Sequence, residues 1–126
     1  GNKKLAVMGF QDLVNLKGRS SNVSTIIEQD LSNLLINDMP GKIIAKSHIE
    51  TVLKELQISS QDVFDPENRK RFGKLAAADY IVTGTYWAYG GYININIVVV
   101  EIESGLGVFS SRVRVSQKDF VNFSNF

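Results

Sequence analysis

The chain has 126 residues, 44% hydrophobic and 21% charged, with 14 basic against 13 acidic side chains for a net charge of +1, and it has no cysteine. That length supports one hydrophobic core without disulfides or a structural metal, so we expect a single domain over residues 1–126. Near-neutral charge gives no global field for nucleic acid or an anionic membrane, and the lack of cysteine removes thiolate catalysis and thiolate metal sites. No signal peptide and no run of about 18 apolar residues is present, so the sequence does not cross a membrane as a helix. A glycine at position 1 is consistent with the scar of a removed tag; a leader, with any lipid-carrying cysteine in it, would then stand before Asn2.

Residues 4–10, KLAVMGF, form a short apolar run that suits a buried strand. The polar stretch that follows contains Gly18 and reads as a loop. From Asn22 or Ser24 the apolar positions Val23, Ile26, Ile27, Leu31, Leu34 and Leu35 recur at helical spacing, with Glu28, Asp30 and Asn33 opposite. Pro40 and Gly41 stop this amphipathic helix. Residues 42–45, KIIA, then predict a second short strand, which makes strand, helix and strand a parallel crossover. Ser47 with Glu50 three residues on has the pattern of a capping box, opening a helix with Ile49, Val52, Leu53 and Leu56 as its buried stripe. Asp65 as N-cap and Pro66 at the first helical position open another short helix.

Beyond Tyr80 the period changes to two. Tyr80, Val82 and Gly84 alternate with Ile81, Thr83 and Thr85; past Gly90-Gly91, Ile93, Ile95 and Ile97 alternate with Asn94 and Asn96. After a turn in ESGLG, VFSSRVRVS alternates again, with Arg112 and Arg114 on one face and Val113 and Val115 on the other. These make a three-stranded antiparallel meander, and the tail DFVNFSNF reads as a short amphipathic helix or an ordered strap.

The candidate sites are few. His48 is the sole histidine and sits beside Ser47, which makes it a first-turn surface residue rather than a base or metal ligand. Asp62, Asp65 and Glu67 lack the spacing and glycine of a calcium loop, and capping accounts for Asp65. The sequence therefore names no catalytic residue, no metal ligand and no cofactor site. Lys17, Arg19, Ser20 and Ser21 precede a helix whose free N–H groups attract anions, so they are the candidate anion contacts, although Ser21 or Asn22 as a simple N-cap explains much of the pattern. YWAYGGY gathers Tyr86, Trp87, Tyr89 and Tyr92 about a turn, and these are the candidate partner contacts. If Gly90-Gly91 is a two-residue turn, Tyr89 and Tyr92 are cross-strand neighbours, and a pair that stabilises the hairpin by itself is the favoured structural reading set against an interface.

The segments LAVMGF, IIAKSHIETVLKELQISSQDVFD, GKLAAADYIVTGT and INIVVVEIESGLGVFSS together resemble a bacterial envelope group. It includes the curli secretion channel CsgG, the flagellar outer-membrane protein FlgO and the N-terminal domain of TolB, and the penicillin-binding-protein activator lipoproteins share its scheme. The resemblance runs from Leu5 to about Val115, and its motifs are mostly strand cores, caps and turns, which specify fold better than function. CsgG-type channels place a membrane hairpin between the strands that match residues 80–88 and 92–102. A transmembrane strand needs about 9–11 residues, so a turn at Gly90-Gly91 leaves no room for two such strands.

The expected fold is α/β (α+β): a mixed sheet of about five strands in the order 2-1-3-4-5, an N-terminal βαβ crossover, packed helices and a C-terminal antiparallel meander. The expected function is a non-catalytic envelope interaction or assembly domain. It would be the globular part of an exported lipoprotein at the periplasmic face of the outer membrane or in the periplasm, with a protein partner or self-association and no nucleic acid. The alternatives are an activator of a cell-wall synthase and a small-anion sensor.

Overall fold

The computed structural model of the chain describes residues 2–13, 20–116 and 118, with the backbone alone for residues 20–22. The elements in order are β1 (Leu5–Asp12), α1 (Ser20–Asp38), α2 (Lys46–Leu56), a short 3-10 turn (Asp62–Phe64), α3 (Pro66–Ala76), β2 (Tyr80–Tyr89), β3 (Tyr92–Glu101) and β4 (Gly107–Ser116). They build a mixed sheet of four strands in the order β1-β2-β3-β4. β1 runs parallel to β2, and the other two pairings are antiparallel.

The expected fifth strand is the one departure in the sheet. Residues 42–45 contribute a single parallel bridge, Leu5 to Ile43, closed by the Leu5 N–H on the Lys42 carbonyl at 2.8 Å and the Ile44 N–H on the Leu5 carbonyl at 2.9 Å. The segment has no length for more, because α2 starts at Lys46. Its place outside β1 is the one that the order 2-1-3-4-5 expected. The capping box is not formed either: Ala45 is the N-cap of α2, no side chain caps it, and Ser47 already lies inside the first turn. Asp65 does cap α3, accepting from the Asn68 N–H with Pro66 at the first position, where its missing donor costs nothing.

The two faces of the sheet carry separate cores. On one, Ala6, Met8, Ile81 and Ile102 pack with Ile49 and Val52 of α2, Val63 of the 3-10 turn and Phe72 of α3. On the other, Phe10, Tyr86, Ile93 and Ile95 pack with Ile27 of α1, joined by Val23, Ile26 and Leu31. Side chains alternate along a strand, so Phe10 would share a face with Ala6 and Met8 were β1 regular. The register slips between Val7 and Phe10, and this bulge turns Phe10 toward α1. One irregular strand thereby feeds both cores. Leu34, expected in the buried stripe of α1, is exposed, whereas Glu28, expected opposite, is half-buried.

β1 is an edge strand with a covered edge. Besides the Ile43 bridge, Ser24 Oγ of α1 accepts from the Phe10 N–H at 3.2 Å and donates to the Phe10 carbonyl at 2.8 Å, replacing a neighbouring strand at that point.

Candidate interaction surface

α2 and α3 cover only one end of their sheet face. The rest belongs to the β2–β3 hairpin and β4. Gly90 and Gly91 have φ of 60° and 81°, the mirror-image turn whose twist matches the flanking strands. Tyr89 therefore lies opposite Tyr92, as expected, and the register continues Trp87 to Asn94 and Thr85 to Asn96. Across β3, Asn94 is opposite Arg114 and Asn96 opposite Arg112. Alternation puts all of these side chains on the open face.

Its members hold one another. The Arg112 guanidinium lies over the Trp87 ring, 5.8 Å from its centroid, and Arg114 lies over Tyr92 at 5.1 Å. Such pairs at exposed sites contribute about 0.5–1 kcal/mol, which biases the two guanidinium groups toward the rings. Asn94 is buried beneath them, while Tyr89 is 78% exposed. Among the described residues neither arginine has a carboxylate within ion-pair range; the salt bridge found there joins Lys3 and Asp79 elsewhere.

Tyr86 parts company with the other three aromatics. It is 3% exposed and sits on the α1 face, a core residue out of reach of a partner. Burial, with the Asp12 charge adding to it, pushes its phenol up from 10.0 to about 12. A raised acid pKa in the folded state means that stability is complete below the unfolded value and is lost as pH rises through the window from 10.0 to about 12. Stability measured by urea titration should fall across that window, and Tyr86→Phe should remove part of the fall. An unchanged pH profile in the variant would show that Tyr86 ionises as freely as in the unfolded chain.

Among the described residues the other sequence candidates do not converge. Lys17 and Arg19 lie outside the described residues, and Ser20 and Ser21 open α1 in its backbone only. His48 is exposed in the first turn of α2. Asp62 accepts from the Ser59 N–H at 2.8 Å and the Ser59 hydroxyl at 3.0 Å, and these bonds hold its carboxyl below the ordinary range. Asp65 caps α3, Glu67 is exposed beside it, and among the described residues no three His, Asp or Glu side chains cluster as metal ligands. A cleft of about 360 Å³ lies between α1 and the Ile43 segment, lined by Val7, Glu28, Ile36, Lys46 and Ile49 among others. Burial raises the Glu28 carboxyl there, opposed by Lys46.

Sequence reasoning noted Arg112 and Arg114 without assigning them to the site. The usable signal is the R-V-R of β4 against the N-I-N of β3, alternations that must share a face once paired.

The family model for the curli production assembly/transport component CsgG matches residues 1–96. The chain belongs to the CsgG family. Among solved structures, the LpoB C-terminal domain from Salmonella enterica is 14% identical with a TM-score of 0.71, over 92% of this chain and 84% of that one. Lipoprotein GNA1162 from Neisseria meningitidis is 12% identical with a TM-score of 0.68, covering 90% and 79%. The PelC dodecamer from Paraburkholderia phytofirmans is 13% identical with a TM-score of 0.55, covering 98% and 79%. At such identities the likeness is one of fold. A search of curated protein sequences finds no significant match. β4 of this CsgG-family chain lies wholly beyond the residues that the family model matches. No helix among the described residues is long and apolar enough to cross a membrane.

Proposed function

We propose that this CsgG-family chain is a non-catalytic interaction or assembly domain of the bacterial cell envelope, the globular part of an exported lipoprotein facing the periplasm. The observation that carries the reading is the open end of the meander: Trp87, Tyr89 and Tyr92 stand on a face that no described helix covers, beside two arginines that have no carboxylate partner among the described residues. Exposed aromatic and arginine side chains on a rigid sheet are the residues that most often anchor protein interfaces. The β2–β3 connection is the two-residue turn Gly90-Gly91, so no further pair of membrane strands is inserted between β2 and β3. Shared fold with a lipoprotein and with a dodecamer supports an envelope setting and work through protein contacts.

A photo-crosslinking residue in place of Tyr89, expressed in cells, should capture a defined protein, and the adduct should disappear when Trp87→Ala is added. The melting temperature of Trp87→Ala should stay within a few degrees of the parent, a shift of about 1 kcal/mol or less. The same adduct from a crosslinker in place of exposed Glu55 on α2, or no adduct at all, would defeat the reading.

A further inference from the structure

We propose that the outer edge of β4 receives an extended acidic segment of a partner protein, alternating carboxylate and apolar residues, which adds to the sheet as a further strand. This deepens the interaction reading and rests on it. β1 has its edge covered by the Ile43 bridge and Ser24, whereas the described residues supply no neighbour to the outer edge of β4. An uncovered edge presents a row of free N–H and C=O groups, the template for strand addition. The β3–β4 register shifts only near Val99 and Val100, so from Ser110 to Ser116 the ladder is regular.

The side chains along that stretch state what would fit. Arg112 and Arg114 occupy one face. On the other, Phe109 is 60% exposed and Val113 41%, although α1 packs on that same side farther across the sheet. A neighbouring strand would therefore set carboxylates beside the arginines and apolar groups beside Phe109 and Val113. Each guanidinium carbon already lies over a ring, 5.8 Å and 5.1 Å from the centroids, and among the described residues no carboxylate answers its N–H fork. A carboxylate matches that fork. With those ring faces taken, Trp87 and Tyr92 do not offer a stacking platform on that side. A second copy fits poorly, because antiparallel β4–β4 pairing centred on Val113 would put Arg112 against Arg114.

A peptide of the pattern Gly-Glu-Val-Glu-Val-Glu-Gly, titrated into the intact chain, should slow hydrogen exchange at alternate amides of β4 and should bind less tightly as salt rises. Arg112→Glu with Arg114→Glu should weaken it by about tenfold or more and shift the preference to the lysine version of the peptide, with the melting temperature checking the fold. N-methylation of one alternate set of peptide amides should abolish binding, and of the other set leave it unchanged. Absence of binding at millimolar peptide, equal tolerance of both N-methylated sets, or dimerisation of the parent chain through β4 in sedimentation would each overturn the proposal. A partner captured from position 89 that ignores the double arginine change would also overturn it, while leaving the interaction reading in place.

Discussion

Gly84→Ala should destabilise the fold by about 3 kcal/mol in urea titration, at the upper end of what overpacking a core costs. A methyl at this position would overlap the backbone carbonyl oxygen of Asn96 and lie 2.8 Å from Cε2 of Phe10. The Phe10 ring can turn, but the carbonyl belongs to β3, which is paired on both sides. Relief requires β2 and β3 to separate, with loss of ladder hydrogen bonds. Gly84 is thus the point at which the bulged β1, the hairpin and α1 meet, since it is opposite Phe10 on one side and Ile97 on the other. Thr85→Ala, one residue along on the open face, is the control and should change stability by less than about 1 kcal/mol. Equal, small effects at the two positions would show that the sheet yields at Gly84.

Arg69→Ala should cost about 3 kcal/mol, more than an ordinary surface charge, and Arg69→Lys should restore little of it. The side chain is 9% exposed, and its Nε donates to the Ile102 carbonyl at 2.9 Å where β3 ends. Its guanidinium lies flat against Gly105: an added Cβ there would meet Cζ, Nη1 and Nη2 at 2.7–2.8 Å. Gly105 also has φ of 76°, a conformation that an L side chain adopts at a cost of about 1 kcal/mol. Arginine and glycine therefore form one clasp between α3 and the β3–β4 turn. A double-mutant cycle separates its parts. Gly105→Ala in the parent should suffer both the clash and the strained φ, whereas in an Arg69→Ala background only the strain should remain. Additive effects would show that the two residues do not press on each other.

The parts of the fold that could be read from the sequence are those set by local chemistry. Gly90-Gly91 between alternating strands specifies the hairpin and the Tyr89–Tyr92 pairing. Asp65 with Pro66 specifies the start of α3. The misreadings arose where a neighbour in space decides. Residues 42–45 have the composition of a strand, but α2 begins before a ladder can form. Ser47 and Glu50 have the spacing of a cap, yet the N-cap lies two residues earlier, at Ala45, and the helix starts at Lys46. The bulge that sends Phe10 to the other core has no local signature beyond Gly9. At the site, the pairing of Tyr89 with Tyr92 was legible from the turn, whereas Tyr86 went to the α1 core because the phase of alternation, not aromatic character, assigns its face. The arginines over Trp87 and Tyr92 required the register past the irregular β3–β4 turn, which two strands fix only once they are paired.

The order β1-β2-β3-β4 also dictates a sequence of events in time. The meander needs only tight turns and neighbouring segments, and hairpins close within about 1–10 μs. The strand that pairs with β1 lies far along the chain: the N–H of Lys4, just before β1, reaches Asp79, 75 residues on. Loop closure over that distance is unfavourable until α1, α2 and α3 shorten it. We therefore expect the first strand made to dock last, with Phe10 and Met8 absent from the two cores until it does.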